Sequence, residues 1–235
     1  MLQNPPILTP RLTAVARLVP DCQCFFDVGT DHAYLPVYLC LNNVCKTAVA
    51  SDIKKGPLLR AEKTVEAFGL RDKISLRLGG GLDTASLNEA DCVAIAGMGG
   101  LVIAKILSQS GGKTTDNCPF ILQPMTAVPE LREYLSLNGW KIESEGLAKE
   151  DEKIYNIMLV RKAKGENEPN KLSEAELYIG KHLIEKRQEH FDEYLEKKIK
   201  KLENMIEGLK ISKSDEGLDK LNKTKALLAE ILKLR

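Results

Sequence analysis

The clearest indication of the fold class is the segment Phe26-Asp27-Val28-Gly29-Thr30-Asp31-His32-Ala33-Tyr34. A short apolar run reaches an acid and then a glycine, which is typical of a buried strand that turns into a helix. Glycine lets the backbone approach a ligand closely. A dinucleotide site would continue as Gly-x-Gly-x-x-Gly, but positions 31 and 34 hold Asp and Tyr. The turn therefore predicts a ligand other than a dinucleotide. The alternative is a polar β–α turn that binds no ligand.

Asp31 places a negative charge just after the glycine turn. A carboxylate at this position would repel a pyrophosphate and would attract a cation. S-adenosylmethionine is such a cation, with a sulfonium, an ammonium, a ribose and an adenine. The first strand end thus favours this cofactor over a nicotinamide dinucleotide.

Strand and helix patterns alternate outward from this stretch. Short apolar runs recur at residues 48–53, 74–78, 92–96 and 120–122, with helical patterns between them. This alternation predicts an α/β fold with a mostly parallel, Rossmann-like sheet. Two final runs with a short connection predict an antiparallel hairpin at one edge. Ligands of such sheets bind beyond the carboxyl ends of the strands.

Further strand ends carry candidate ligand groups. Asp52 lies 23 positions after Gly29, near the spacing at which an acid meets a ribose diol, although a helix cap is the alternative. The glycines 79–81 leave space for a flat group such as adenine, or form only a flexible turn. The run Ala96-Gly97-Met98-Gly99-Gly100 leaves room for a substrate, or serves only close helix–strand packing.

Composition excludes several classes of protein. The chain has 235 residues, and 34 Lys and Arg against 33 Asp and Glu give a net charge of +1. A grossly basic nucleic-acid binder is excluded, whereas a local basic patch is not. No apolar run is long enough for a membrane span, and no signal peptide is visible, so we expect a cytoplasmic protein. The six cysteines lie mostly in or beside apolar runs, and Cys22-x-Cys24 lacks further ligands, so neither disulfides nor a metal are expected.

The composition changes after Lys162. A polar stretch at 164–170 is followed by a charged helical pattern from Ser173 onward. From Phe191 the apolar residues recur at steps of four and three, which predicts a coiled-coil helical hairpin. We therefore divide the chain into domains at 1–162 and 163–235. A lysine cluster on the first helix could bind nucleic acid, and a solvated coiled-coil face is the alternative. Its members are Lys197, Lys198, Lys200 and Lys201.

These strings resemble, as a set, the bacterial TrmK-type tRNA (adenine-22-N1)-methyltransferases, a class I S-adenosylmethionine-dependent family. The resemblance spans about residues 8–161. It is carried by Pro10-Arg11-Leu12, Asp27 to Pro36, Ser51-Asp52 with Gly56-Pro57, Ile95 to Gly100, Leu122-Gln123-Pro124, Asn138-Gly139-Trp140, and Glu150-Asp151 with Lys153-Ile154-Tyr155. The tail resembles the family's C-terminal coiled coil in length and character.

Two positions depart from the family. The family often carries Asp or Asn where this chain has Gly80, so a side-chain contact to the cofactor's adenine is missing there. The family also often has Asn where this chain has Met125, which changes the substrate side of the pocket.

The resemblance implies methyl transfer from S-adenosylmethionine to N1 of an adenine in tRNA. Apart from the resemblance, we expect no metal, and we favour a monomer. Asp31 would stabilise the cationic product or take its proton, with help from His32, or would only bind the cofactor's ammonium. Arg11 would contact the cofactor or a phosphate, or be an exposed helix residue. The expected cofactor-binding residues are Arg11, Asp27, Gly29, Asp31, His32, Tyr34, Asp52, Ile53, Gly80, Gly81, Ala96, Gly97 and Met98. The four lysines would bind the tRNA backbone around the target base while that base is extruded into the pocket.

Three other functions stay open at this point. The chain could methylate another RNA or a small molecule. It could bind cofactor and RNA without turnover, since Gly80 and Met125 depart from the family. A nicotinamide oxidoreductase is the remote alternative, because the glycines of that fingerprint are missing.

Overall fold

The computed structural model describes residues 4–86, 89–109, 117–163, 171–211 and 214–235. It divides the chain into two compact units between residues 170 and 171. The polar stretch predicted at 164–170 lies outside the described residues. None of the described helices is long and apolar enough to cross a membrane.

The first unit is built on a seven-stranded sheet. Its strands are β1 (Cys22–Val28), β2 (Cys45–Asp52), β3 (Ile74–Leu78), β4 (Cys92–Gly99), β5 (Phe120–Thr126), β6 (Trp140–Glu150) and β7 (Lys153–Lys162). They lie in the order β3-β2-β1-β4-β5-β7-β6, and β7 runs antiparallel to both of its neighbours. The predicted α/β class, with its parallel sheet and antiparallel edge hairpin, is confirmed.

Helices cover both faces of this sheet. They are α1 (Pro10–Ala16), α2 (Tyr34–Leu41), α3 (Lys55–Ala67), α4 (Gly100–Gln109) and α5 (Val128–Leu137). The central strands are buried on both sides, since Phe25 packs into one apolar cluster and Phe26 into the other. Such two-sided burial explains why these strands read as continuous apolar runs.

The first helix is shorter than predicted. Thr9 caps it, as its hydroxyl accepts a hydrogen bond from the amide of Leu12. The sequence predicts a helix that reaches Val19, but α1 ends at Ala16. The amides of Leu18 and Val19 bond to carbonyls only three residues back, so the chain tightens into a turn here.

Strands β4 and β5 both extend further than predicted. Their pairing shifts register between Ala96 and Met98, and Gly97 has a φ of +78°. Such an irregularity re-aims the strand end, and bulges of this kind are frequent beside active sites.

A buried ion pair fastens α5 to the edge hairpin. Arg132 Nε donates to Glu145 Oε1 at 2.8 Å, and Arg132 Nη2 donates to Asn156 Oδ1 at 2.8 Å. All three side chains are almost completely buried. No sequence motif indicates this group, because its three members are 13 and 24 residues apart.

The second unit contains α6 (Glu174–Ile179), α7 (Lys181–Lys186), α8 (Phe191–Leu209) and α9 (Asp215–Leu232). Arg235, just after α9, pairs with Glu196 near the start of α8 at 2.7 Å, so these two helices form the predicted antiparallel hairpin. The charged helical pattern that begins at Ser173 does not form a single helix up to the turn of the hairpin. Gly180 and the left-handed residues Arg187 and His190 interrupt it before α8 begins.

Candidate active site

A cavity of about 320 Å³ lies at the carboxyl ends of β1 and β4. These adjacent strands mark the point where the strand order reverses, which is where ligands of such sheets bind. Among the residues predicted for the site, those that line the cavity are Arg11, Asp27, Gly29, Asp31, His32, Tyr34, Ala96 and Gly97.

The turn after β1 is held firmly by its own backbone. The amides of Gly29 and Thr30 both donate to the carbonyl of Ser51 at 2.8 Å. Thr30 Oγ1 accepts a hydrogen bond from the amide of Ala33 at 3.1 Å. Gly29 has a φ of +77°, a conformation that favours glycine. The turn therefore presents its side chains to the cavity in a fixed arrangement.

Met98 lies directly over Gly29. A Cβ built at Gly29 would come within 2.0 Å of Met98 Cε, so any side chain at Gly29 would displace the methionine. Met98, one of the predicted cofactor-binding residues, thus packs on the glycine turn and is not among the residues lining the cavity.

Asp27 is the buried acid of the cavity. Its exposed fraction is 7%. Burial raises the pKa of this carboxyl to about 6, although a hydrogen bond from Thr30 lowers it, and the nearby Asp52 raises it further. A desolvated carboxylate gains most from a cationic ligand, because the ligand offsets the cost of its buried charge.

Asp31 is an exposed acid at the rim. Its Oδ1 pairs with Arg60 on α3, whose Nε lies 3.0 Å away, and its Oδ2 lies 3.5 Å from His32 Nε2. The His32 ring stacks on Tyr34, with centroids 5.1 Å apart. Arg60 cannot be recognised from the sequence, because no motif connects a helix arginine to an acid 29 residues earlier.

Arg11 is held inside the cavity by a buried amide. Gln123 Oε1 accepts from Arg11 Nη1 at 2.7 Å and from the amide of Gly97 at 3.0 Å. Glu150 and Tyr155 complete the surroundings of the guanidinium. The alternative of an exposed helix arginine is therefore wrong. Gln123 was present in the family resemblance, but its role in holding Arg11 was not anticipated.

Four further residues predicted to bind the cofactor are not among those that line the cavity, namely Asp52, Ile53, Gly80 and Gly81. The amide of Gly79 bonds to the carbonyl of Asp52, which brings the ends of β2 and β3 together. Asp52 Oδ1 accepts from the amide of Lys54 at 2.6 Å, but Lys54 is itself the N-cap residue of α3, so Asp52 is not the helix cap considered as the alternative. A Cβ at Gly80 would meet Ile53 Cδ1 at 3.8 Å, an ordinary contact distance, so a side chain fits there. Gly81, with a φ of +53°, packs close to Ile106.

The four predicted tRNA-binding lysines differ in their surroundings. Lys197 Nζ lies 3.0 Å from Glu193, and Lys198 Nζ lies over the rings of Tyr178 and Tyr194. Lys200 and Lys201 are exposed on α8. Two of the four are thus engaged within the second unit. In the part of the chain that the structure describes, no group of three or more His, Cys, Asp or Glu could hold a metal ion.

Comparisons with known proteins agree with this geometry. Residues 25–233 match the family described as TrmK, tRNA (adenine(22)-N(1))-methyltransferase. The tRNA (adenine(22)-N(1))-methyltransferase of Bacillus subtilis is 40% identical over 152 residues, which cover 65% of this chain and 64% of that enzyme, just under two thirds of its length.

Solved structures extend the likeness to nearly the whole chain. The crystal structure of the B. subtilis m1A22 tRNA methyltransferase TrmK is 31% identical and covers 98% of this chain and 99% of that one, with a TM-score of 0.85. TrmK of M. capricolum, solved with the cofactor product S-adenosyl-homocysteine, is 31% identical and covers 96% of this chain and 100% of that one, with a TM-score of 0.78. The chain belongs to the S-adenosylmethionine-dependent tRNA (adenine(22)-N(1))-methyltransferase family.

Proposed function

We propose that this chain transfers a methyl group from S-adenosylmethionine to N1 of adenine 22 in tRNA. The observation that carries the proposal is the buried carboxylate of Asp27 beside the Gly29 turn, at the switch between β1 and β4. A cationic cofactor suits such a carboxylate, and membership of the family supplies the reaction and the substrate class.

The residues of the cavity fit the charged end of this cofactor. S-adenosylmethionine supplies a methyl group activated by a sulfonium. Asp27 would oppose its positive groups from inside the cavity, and Arg11, fixed by Gln123, would face its carboxylate. The Gly29 turn forms part of the cavity wall beside these two charged groups.

The nucleoside end of the cofactor would lie along β2 and β3. Asp52 would accept hydrogen bonds from the ribose hydroxyls through the carboxylate oxygen that Lys54 does not occupy. Ile53 and Gly80, which adjoin each other, would lie together against the adenine ring. Gly81 and Ala96 would contribute backbone rather than side-chain contacts.

On the substrate side, the protein chiefly has to align N1 with the methyl group and exclude water. Methylation leaves the base with a positive charge until its exocyclic amine loses a proton. Asp31 lies at the rim, with Oδ1 held by Arg60 and Oδ2 directed toward His32. We assign the stabilisation of this charge, and acceptance of the proton, to the Asp31–His32 pair.

A methyl-transfer assay tests the overall proposal. Labelled methyl from S-adenosylmethionine should enter unmodified tRNA, and replacement of adenine 22 by guanine should abolish the incorporation. Incorporation that survives the replacement would contradict the assigned position. Intact cofactor binding with no transfer to any tRNA would point instead to another RNA or a small molecule, which the Met125 departure makes the natural second candidate.

The Asp31→Asn variant tests the role of that side chain. Because Arg60 already neutralises this carboxylate, we expect cofactor affinity to fall only a few-fold, while kcat falls by about 100-fold, a typical contribution of acid–base catalysis. Cofactor binding by calorimetry and single-turnover methylation measure the two effects separately. Arg60→Gln serves as the control for the ion pair alone. Equal losses in affinity and turnover would make Asp31 a cofactor ligand only.

The exposed lysines of α8 supply the second contact with tRNA in this proposal. Lys200 and Lys201 are exposed, whereas Lys197 and Lys198 are engaged within the second unit. The double variant Lys200→Ala/Lys201→Ala should weaken tRNA binding and reduce its salt dependence by about two phosphate contacts. Cofactor affinity should not change.

A matched control exists at the other end of the sheet. Lys46 and Lys141 are exposed near the amino ends of β2 and β6, remote from the carboxyl ends that form the cavity. Lys46→Ala/Lys141→Ala removes the same charge. If both double variants lower tRNA affinity equally over a salt titration, the effect is one of net charge and the assignment to α8 is wrong.

A further inference from the structure

Three cysteines of the first unit lie together at the amino ends of β1 and β2. Cys22 and Cys45 occupy paired positions of these parallel strands, and Cys40 stands near the end of α2. The sulfur atoms of Cys40 and Cys45 are 3.5 Å apart, and Cys22 packs against the same apolar cluster that contains them. The cavity with the proposed active site lies at the opposite ends of the same strands.

The three thiols have different surroundings. Cys40 and Cys45 are each 1% exposed, whereas Cys22 is half-buried and reachable from solvent. The neighbouring Cys45 thiol lowers the pKa of Cys22 and of Cys40, while the pKa of Cys45 itself is raised. A thiolate is the reactive form of cysteine, and Cys22 is the member of the cluster that a solute can reach, so Cys22 is the residue that reacts first.

Cys24 provides an internal comparison on the same strand. It is half-buried to a similar degree, but burial raises its pKa, and it is not part of the thiol cluster. Exposure is thus nearly the same at the two positions, while the neighbouring sulfur atoms are present only at Cys22.

We propose that Cys22, Cys40 and Cys45 form an oxidation site that reduces hydroperoxides and ends as an internal disulfide on Cys45. In the first step the Cys22 thiolate attacks a peroxide oxygen. The S–O bond forms, the O–O bond breaks, and the leaving hydroxide takes up the proton that the Cys22 thiol released, which gives water. In the second step the Cys45 sulfur, its proton passing to solvent, attacks the Cys22 sulfur, the S–S bond forms, and water leaves. Two thiols and one hydrogen peroxide thus give one disulfide and two waters.

The backbone already suits this bond. Paired residues of neighbouring strands have Cα atoms about 4.8 Å apart, inside the range of about 4.4–6.8 Å that disulfides use. Cys40 stands in contact with Cys45, so thiol–disulfide exchange can move the bond to Cys40 and release Cys22 as a thiol. The chemical benefit is protection, because a sulfenic acid without a neighbouring thiol is oxidised further and irreversibly.

Peptide mapping of the full chain tests this proposal directly. The protein is treated with a few equivalents of hydrogen peroxide, blocked with an alkylating reagent without reduction, digested and analysed by mass spectrometry. A disulfide that joins Cys45 to Cys22, or to Cys40 after exchange, supports the proposal. Sulfinic or sulfonic acid at Cys22 without any disulfide at Cys45 overturns it, and so does equal oxidation of Cys22 and Cys24.

Variants separate the roles of the cysteines. In Cys45→Ser we expect Cys22 to progress to sulfinic acid at peroxide levels that leave the wild-type Cys22 at the disulfide stage. In Cys22→Ser the rate of disulfide formation should fall at least tenfold, while Cys24→Ser should react as wild type. A Cys40–Cys45 disulfide that forms equally fast without Cys22 would remove Cys22 from the proposal. Methyl transfer is not the readout, so the result does not depend on the proposed function.

Discussion

Asp27→Asn is expected to stabilise the protein at pH 7.5 and to weaken its affinity for S-adenosylmethionine. Burial raises the pKa of Asp27 from 3.8 to about 6, so the folded state carries a desolvated charge above that pH. A buried acid with a raised pKa does not lower the free energy of unfolding at a pH below the pKa of the unfolded state, where the acid is protonated. The free energy of unfolding falls as the pH rises from there through the pKa of the folded state. At pH 7.5 the ionised Asp27 lowers the free energy of unfolding by about 3 kcal/mol, since one pKa unit corresponds to 1.36 kcal/mol.

Urea denaturation at pH 4.5, 5.5 and 7.5 measures this effect. The wild-type free energy of unfolding should fall across that window by more than that of Asp27→Asn, because only the wild type loses a proton from the buried group. Calorimetry should show that the variant binds the cofactor at least tenfold more weakly, since a neutral amide lacks the charge that attracts the positive groups of the cofactor.

Asp52→Asn is the matched control for Asp27. Asp52 is half-buried, and its Oδ1 bonds to a backbone amide, a contact that asparagine can keep. Its replacement should weaken cofactor binding through the ribose while leaving the free energy of unfolding within about 0.5 kcal/mol of wild type, as for ordinary surface changes. A wild-type pH slope in Asp27→Asn would show that Asp27 does not titrate in this window.

Glu145→Gln is expected to destabilise the first unit by about 3–5 kcal/mol. The substitution keeps the volume of the side chain but leaves the fully buried guanidinium of Arg132 without its carboxylate partner. Breaking a buried pair by removing one charge costs this much because the remaining charge stays desolvated. Chemical denaturation followed by circular dichroism gives the difference.

Glu143 offers a control two residues away on the same strand. It pairs with Arg161 at 3.0 Å, but both side chains are about one third exposed. Glu143→Gln should change the free energy of unfolding by less than about 1 kcal/mol, the range for surface ion pairs. Similar losses in the two variants would mean that burial does not set the strength of the Arg132–Glu145 pair.

The sequence could predict the sheet and part of the site because those signals are local. The strand end at Asp27-Val28-Gly29 and the acid at Asp52 combine burial pattern, turn residue and spacing within a short stretch, and the structure places them at adjoining strand ends. Arg60 and Gln123 could not be found in this way. Their partners Asp31 and Arg11 lie 29 and 112 residues away, so the contacts depend on tertiary packing.

The misjudged helix ends have the same origin. A periodic apolar pattern continues through Val19 and across Gly180, but the pattern records which side faces the core, not whether the backbone stays helical. Turns at 17–19 and the left-handed residues before α8 end the helices while the apolar residues remain buried.

The carbonyl of Ser51 serves as a common anchor for both halves of the proposed cofactor site. It accepts from the amides of Gly29 and Thr30, and the next residue along the chain is Asp52. The parts that would receive the amino-acid end and the nucleoside end of the cofactor are thereby fixed to one template. Because the two parts are already ordered, binding does not have to order the protein. More of the free energy of the contacts at both ends of the cofactor then appears as affinity.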